Sequence, residues 1–293
     1  MQIGSIQYQN NTQAGIRSVK GVVPLQAVND RIGRKWPLDL GTLLETGALA
    51  DLTDWYEHHG RIMLAEEQFK TLAGADLAFA PPFQKPSKIW GIGLNYVAHA
   101  GDLDEVAPQE IPASFMKPNT AVIGHGATIQ IPTHSHRTTG EAELGIVVGR
   151  KGKNIAPENW LDYVAGFVGV IDMTAEDILR RNPRYLTLSK SFDTFFSFGP
   201  FLVTPDEIED VLALEVATVI NGTEHARNHV RNMTFTPDKL LAFHSEVMTL
   251  EPGDIISTGT PGAVVLQDGD RVACRIAGFE TLENPVRDLK MDL

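Results

Sequence analysis

The chain has 293 residues, 43% hydrophobic and 21% charged, which suits one large domain or a large domain with a small companion. Its formal net charge of −12 argues against a nucleic-acid partner: gripping phosphate backbones takes a basic surface, and the short run Arg180, Arg181, Arg184 lies beside Glu176 and Asp177. A single cysteine, Cys274, excludes an intrachain disulfide and any zinc site made from several cysteines of the chain.

In chain order, the N-terminus lacks the basic segment and apolar core of a signal peptide. Alternating runs at Ile3 to Tyr8, Gly15 to Val19 and Val22 to Ala27 predict strands. Helix-like segments follow around residues 38–46, 51–58 and 62–73, with Asp51 or Thr53 as cap of the second. Pro81, Pro82 and Pro86 then disfavour helix and central strand alike. They mark a boundary between a small N-terminal α+β domain, residues 1–80, and a second domain, residues 85–293.

Beyond it the chain reads mainly as strand: residues 88–94, 121–131, 143–149 and 163–171, the last apolar on both faces as in a fully buried strand. Asn221-Gly222, between runs at 213–220 and 223–230, predicts a type I′ hairpin. Pro237 to Met248 predicts a helix with Thr236 as N-cap. Asp254 to Thr258 and Arg271 to Ile276 predict strands, the latter carrying Cys274 as a core thiol and not a nucleophile. No apolar stretch nears the ~20 residues of a membrane span, so a soluble, cytoplasmic protein with no membrane partner is expected. The pattern implies an α+β fold, predominantly β, and not a doubly wound sheet.

Three carboxylates carry the chemistry. Glu141 and Glu143 are two apart on a predicted strand and share a face, although Glu-x-Glu also marks the solvent side of a surface strand. Asp172 ends a buried run, where a charge is costly unless paired or metal-bound; Asp172 or Thr174 would equally cap a helix starting at Ala175. If the fold gathers the three, a divalent cation is the simplest thing that makes the cluster tolerable. Lys190, in the aromatic segment 188–200 with Asp193, is a candidate for stabilising an anionic intermediate, or else a surface lysine with a snorkelling stem.

Nine motifs now fall in one order: Gly93-Leu94-Asn95-Tyr96-Val97-Ala98-His99, Phe115-Met116-Lys117-Pro118, Glu141-Ala142-Glu143-Leu144, Asp172-Met173-Thr174-Ala175, Lys190-Ser191-Phe192-Asp193-Thr194-Phe195, Gly199-Pro200, Asn221-Gly222, Leu250-Glu251-Pro252-Gly253-Asp254 and Thr258-Gly259-Thr260-Pro261. Over about residues 85–290 the chain resembles the fumarylacetoacetate hydrolase (FAH) superfamily, in its bacterial acylpyruvate hydrolase and 2-oxo acid hydratase-like branch. The resemblance implies a catalytic β-roll, usually homodimeric, with Mg²⁺ or Mn²⁺ held by Glu141, Glu143 and Asp172. It implies a 2-oxo acid or β-diketo acid substrate whose carboxylate and 2-oxo oxygens meet the metal.

His99 falls where family hydrolases carry a His with a Glu three residues on. Asp102 takes that place here, and at i, i+3 on a helix the two could form a dyad that aims the imidazole at water. Tyr96, Thr260 and Arg180 are the substrate-binding candidates. After Asp172 many members carry an Arg and a Gln that reach the substrate; Glu176 and Leu179 stand there instead. Arg180, Arg181 or Arg184 could restore the positive charge, or the substrate carries a neutral or apolar group at that point.

The leading expectation is a metal-dependent hydrolase of a carbon–carbon bond in a β-diketo acid, with His99 and Asp102 delivering water and Lys190 stabilising a metal-held enolate. The alternatives are a decarboxylase, hydratase, isomerase or lyase of a 2-oxo or sugar acid at the same site, and a protein that only binds an oxo acid. His134 and His136 lie in a loop without a second ligand pair; His225 and His229 lack the Glu of a zinc helix and follow the Asn-Gly turn. No Gly-x-Ser-x-Gly elbow is present.

Overall fold

The computed structural model of the chain describes residues 1–66, 69–97 and 107–292. It opens with β1 (Gln2–Tyr8), β2 (Asn11–Ser18) and β3 (Gly21–Pro24), then α1 (Leu25–Ile32), α2 (Leu40–Glu45), α3 (Ala48–Trp55) and α4 (Arg61–Glu66). The third strand is shorter than its sequence suggests. At Pro24 the chain turns into α1, which buries Leu25, Val28 and Asn29 at helical spacing. Asp51 is not a cap: it lies inside α3 and accepts a hydrogen bond from Trp36 Nε1 at 2.7 Å, while Gly47, with φ 73°, takes the cap position.

The larger part contains β4 (Ile89–Gly93), β5 (Ala113–Met116), β6 (Val122–Ile123), β7 (Ile129–Ile131), β8 (Thr138–Val148) and β9 (Val164–Ala175), then α5 (Glu176–Arg181), α6 (Leu186–Lys190) and β10 (Phe196–Val203). It continues with β11 (Glu215–Ile220), β12 (Thr223–His229), α7 (Pro237–Val247), β13 (Ile255–Ser257), β14 (Ala263–Val265), β15 (Arg271–Ile276) and β16 (Leu282–Asp288). The Asn-Gly turn is type I′ as expected, with φ 51° at Asn221 and 81° at Gly222. Thr236 makes no side-chain cap bond, but Pro237 sits in the first turn of α7.

An eleven-stranded sheet runs β3-β2-β1-β10-β9-β8-β13-β4-β5, with β14 pairing β8 and β6 pairing β10; a five-stranded sheet runs β12-β11-β15-β16-β7. The α+β, mostly β expectation is borne out. Residues 1–80, expected as a separate unit, share the large sheet through the β1–β10 pairing and contribute to the same apolar core. The long strands β8 and β9 form the middle of that sheet, and all eleven residues of β8 are buried. Strands β11 and β15 of the second sheet pack against β8. The large sheet is strongly curled. Lys117, one residue past β5, touches Asp172 of β9, although β5 and β9 are four places apart in the pairing order.

Candidate metal centre and active site

Side chains alternate along a strand, so Thr139, Glu141 and Glu143 point to one face of β8. The antiparallel register sets Glu141 opposite Asp172 and Thr139 opposite Thr174. Asp172 is thus part of β9 and not a helix cap; Ala175 holds the cap position of α5. The result is the cluster expected from the sequence: Glu141, Glu143 and Asp172 each bring a carboxylate oxygen within 4.8 Å of the others. Their relative exposures are only 9%, 1% and 1%, so these acids are no solvated strand face.

Each carboxylate is aimed by neighbours. Glu141 Oε1 accepts from Thr174 Oγ1 at 2.8 Å and Thr139 Oγ1 at 3.2 Å. Glu143 Oε2 accepts from Ser257 Oγ at 2.5 Å and from the Gly259 N–H at 2.9 Å. Lys190 Nζ lies 2.6 Å from Asp172 Oδ2 and 3.1 Å from Glu141 Oε2, with Phe115 packed on the ammonium at 4.5 Å. A second lysine, given no role on sequence grounds, is equally central. Lys117 Nζ lies 2.5 Å from Asp172 Oδ1 and donates to the carbonyls of Met173, Lys190 and Phe195 at 3.0, 2.7 and 2.6 Å. Its signal lay in the period-two spacing after Phe115, which points Lys117 to the Phe115 side.

Fully ionised, three acids and two lysines would carry one net negative charge. Burial pushes the Glu143 carboxyl up to about 8, with Asp172 and Glu141 adding to the shift and Lys190 and Ser257 opposing it. Burial also pulls Lys117 down to about 8, against the attraction of Asp172. Burial works against charged Lys190 too, but Asp172, Glu141 and Glu143 outweigh it and hold the ammonium firmly protonated. Three buried carboxylates, aimed by hydrogen bonds and offering only hard oxygen donors, fit a divalent cation.

A cavity of about 660 Å³ opens beside the triad. Glu141, Lys190, Thr139, Thr174 and Thr260 form its polar side; Ile92, Phe115, Leu179, Pro183 and Leu186 form much of the rest. Thr260 is 4% exposed, donates to Gly262 O at 3.1 Å and accepts from Gly262 N–H at 3.2 Å. Arg180, Glu176 and Leu179 lie on the wall that α5 provides. Glu176 is flanked by two arginines, Arg180 Nη2 and Arg137 Nε, each 2.5 Å from a different carboxylate oxygen. Arg137 escaped the sequence reading because it lies far from α5 in sequence and meets it only across the β8–β9 ladder.

Tyr96 is fully buried, and its hydroxyl has no hydrogen-bond partner among the described residues; burial and then Glu143 hold its pKa above the ordinary tyrosine value. It is not among the described residues lining the cavity. His99 and Asp102 lie outside the described residues. Gly93 and Leu94, a few residues before them, form part of the cavity wall. Cys274 is a buried thiol pushed up to about 12 by burial, as a core residue should be. Asp193 is exposed. Among the described residues no helix is long and apolar enough to cross a membrane.

The sequence pattern described as fumarylacetoacetate (FAA) hydrolase, C-terminal, matches residues 88–287. The chain is 36% identical over 224 residues to the mitochondrial oxaloacetate tautomerase fahd2 of Xenopus laevis, covering 73% of this chain and 70% of that protein. Among solved structures, 5-carboxymethyl-2-hydroxymuconate delta-isomerase from Mycobacterium smegmatis superposes with a TM-score of 0.75 at 29% identity, covering 98% of this chain and 99% of the other. Maleylpyruvate hydrolase from Sphingobium sp. SYK-6 does so with a TM-score of 0.77 at 25% identity, covering 98% and 100%.

Proposed function

The chain belongs to the fumarylacetoacetate hydrolase family, and on that premise we propose that it is a divalent-metal-dependent enzyme that interconverts the keto and enol forms of a 2-oxo acid. One observation carries the reading: Lys190 bridges two members of a buried acid triad at the wall of a cavity. Mg²⁺ or Mn²⁺, held by Glu141, Glu143 and Asp172, would supply Lewis acidity toward the oxo group. Enolisation moves a proton off the carbon next to the oxo group and puts one on its oxygen. Lys190 Nζ, which stays protonated, can donate a hydrogen bond to that oxygen and oppose the negative charge that grows there, while water supplies the proton the oxygen takes up. Phe115 shields the ammonium from water, which strengthens the interaction. Thr260 and Arg180 contact the rest of the substrate. His99, five residues beyond Leu94 of the wall, is the candidate base at carbon.

The names of two similar proteins, a tautomerase and an isomerase, both describe proton shifts of this kind. Ultraviolet spectroscopy tests the reading on enolic 2-oxo acids, oxaloacetate among them. The enol band should decay faster with protein and Mn²⁺ or Mg²⁺ than with the metal alone. Decay no faster than the metal control, or decay untouched by exhaustive chelation, overturns it.

A second reading is hydrolysis of a carbon–carbon bond in a β-diketo acid. Its support is that His99 and Asp102 follow within eight residues of Leu94, which lines the cavity. The imidazole would direct water to the distal carbonyl, and Lys190 would stabilise the departing enolate. Mass spectrometry of acylpyruvate incubations decides: two shorter acids, lost in His99→Ala, support hydrolysis, and an intact carbon skeleton excludes it. The assembly proposed is a homodimer, which light scattering checks.

A further inference from the structure

Just past β4, one buried side chain joins segments that are distant in sequence. Asn95 is 1% exposed, and both ends of its amide are bonded. Oδ1 accepts from the Phe235 N–H at 2.9 Å, while Nδ2 donates to the Phe235 carbonyl at 2.9 Å and to the Thr258 carbonyl at 2.7 Å. These partners fix which end is the donor, because a reversed amide would set its NH₂ against the Phe235 N–H. The Asn95 backbone carbonyl accepts from the Thr234 N–H at 2.8 Å, so the residue is anchored to the chain that leads into α7.

From this anchor the bond to Thr258 reaches the acid triad in one step. The peptide joining Thr258 to Gly259 is planar, so its carbonyl and its N–H point opposite ways and turn together. The carbonyl is held by Asn95, and the N–H donates to Glu143 Oε2 at 2.9 Å. Neighbouring groups grip β8 as well: Ser257 Oγ donates to Glu143 Oε2 at 2.5 Å, and Thr258 N–H and Oγ1 donate to the Leu144 carbonyl at 3.0 and 2.8 Å. Asn95 supplies the hold on the opposite side of the peptide. Gly259, with φ 95°, permits so close an approach: a Cβ there would meet Asn95 Cβ and the Ile92 carbonyl, each at 2.9 Å. Bonds in line across a peptide strengthen one another, so a donor on the carbonyl makes the N–H a better donor to the carboxylate.

We propose that Asn95 is a positioning residue for Glu143, acting through the Thr258–Gly259 peptide. This rests on the metal reading of the triad and adds an outer partner to one ligand. Without the Asn95 amide the peptide is free to turn, and the Gly259 N–H is no longer aimed at Glu143.

Calorimetric titration with Mn²⁺ and nuclear magnetic resonance of the metal-free protein together test this. The control is Asn29→Ala: on α1, Asn29 grips the N–H and carbonyl of Trp36 through the same pair of bonds, at 3.2 and 2.9 Å. Asn95→Ala should bind Mn²⁺ roughly tenfold more weakly than the parent, and Asn29→Ala as tightly. Isotope labels on threonine carbonyl carbons and glycine nitrogens single out the amides of Gly47, Gly140 and Gly259, each preceded by threonine. Thr258→Ser deletes the Gly259 signal and so identifies it. That amide proton should move upfield in Asn95→Ala, as its bond to the carboxylate weakens, and stay in place in Asn29→Ala. Asn95→Ser replaces the Ala variant should that one fail to melt cooperatively. A folded Asn95 variant with the parent's Mn²⁺ affinity, or with an unmoved Gly259 proton, refutes the inference and leaves the metal reading standing. A parent that binds no Mn²⁺ refutes the metal reading, and the Gly259 proton then decides the inference alone.

Discussion

Glu143 is where the electrostatics of single residues can be measured most directly. Its carboxyl, pushed up to about 8 by burial and by Asp172 and Glu141, holds a proton at pH 7 in the metal-free protein. A dication needs the carboxylate, so metal binding should release nearly one proton per site at pH 7, and apparent affinity should climb with pH until about 8. Titrations in buffers of different ionisation enthalpy measure this. The sign for stability follows from the same shift. Between the ordinary value of 4.5 and about 8 the folded chain holds a proton the unfolded chain has lost, so the metal-free protein loses stability as pH rises across that window. Melting temperatures from pH 5 to 8 should fall without metal and fall less with Mn²⁺. Glu143→Gln should keep the fold and weaken metal binding by at least about a hundredfold, because even outer partners of a ligand are worth roughly 10–100-fold. Native metal affinity in Glu143→Gln would remove Glu143 from the ligand set.

Among the elements, β4 and β5 show how a glycine serves the site. Gly91 pairs with Phe115 across the two strands, and a Cβ at Gly91 would meet the Phe115 ring at 2.2 Å. The missing side chain makes room for the ring that packs on Lys190. Gly91→Ala should cost about 1–3 kcal/mol of stability by overpacking and should lower turnover by displacing Phe115; denaturant melts with activity assays check both, and a variant with parental values would show that the ring has slack. Much at this scale was legible in the sequence. The period-two spacing put Glu141 and Glu143 on one face, Asn221-Gly222 gave its hairpin, and the apolar run before Asp172 gave a buried strand. The pairing of Glu141 with Asp172 was legible only through family resemblance, since spacing within a strand says nothing about its partner. Helix α1 was missed because its apolar residues follow directly on those of β3. Lys117 and Arg137 were missed because their partners are distant in sequence and are brought near only by the curl of the sheet and the β8–β9 register.

For the whole molecule, the N-terminal strands are part of the large sheet and not an attachment to it. One edge of β10 is held by β9; on the other, β6 pairs with Phe196 and Ser197, and β1 with Phe201, Leu202 and Val203. Removing residues 1–80 would uncover an apolar, aromatic strand with unpaired backbone groups, a template for pairing between molecules. The fragment spanning residues 88–287, although it matches the family pattern, should aggregate where the full chain stays dispersed. Size-exclusion chromatography with light scattering tells the two apart, and a dispersed, metal-binding fragment would show that β1 is dispensable.

The charge count at the centre also sets an order of assembly. At pH 7 without a dication Glu143 keeps its proton, so two carboxylates and two lysines leave the centre neutral; with a dication and Glu143 ionised, it presents a single positive charge. Oxo acids meet no attraction in the first state and are attracted in the second, so metal should bind before substrate. The molecule's response to a shortage of metal is therefore graded by how many copies can admit substrate at all, while each loaded copy works at its full rate.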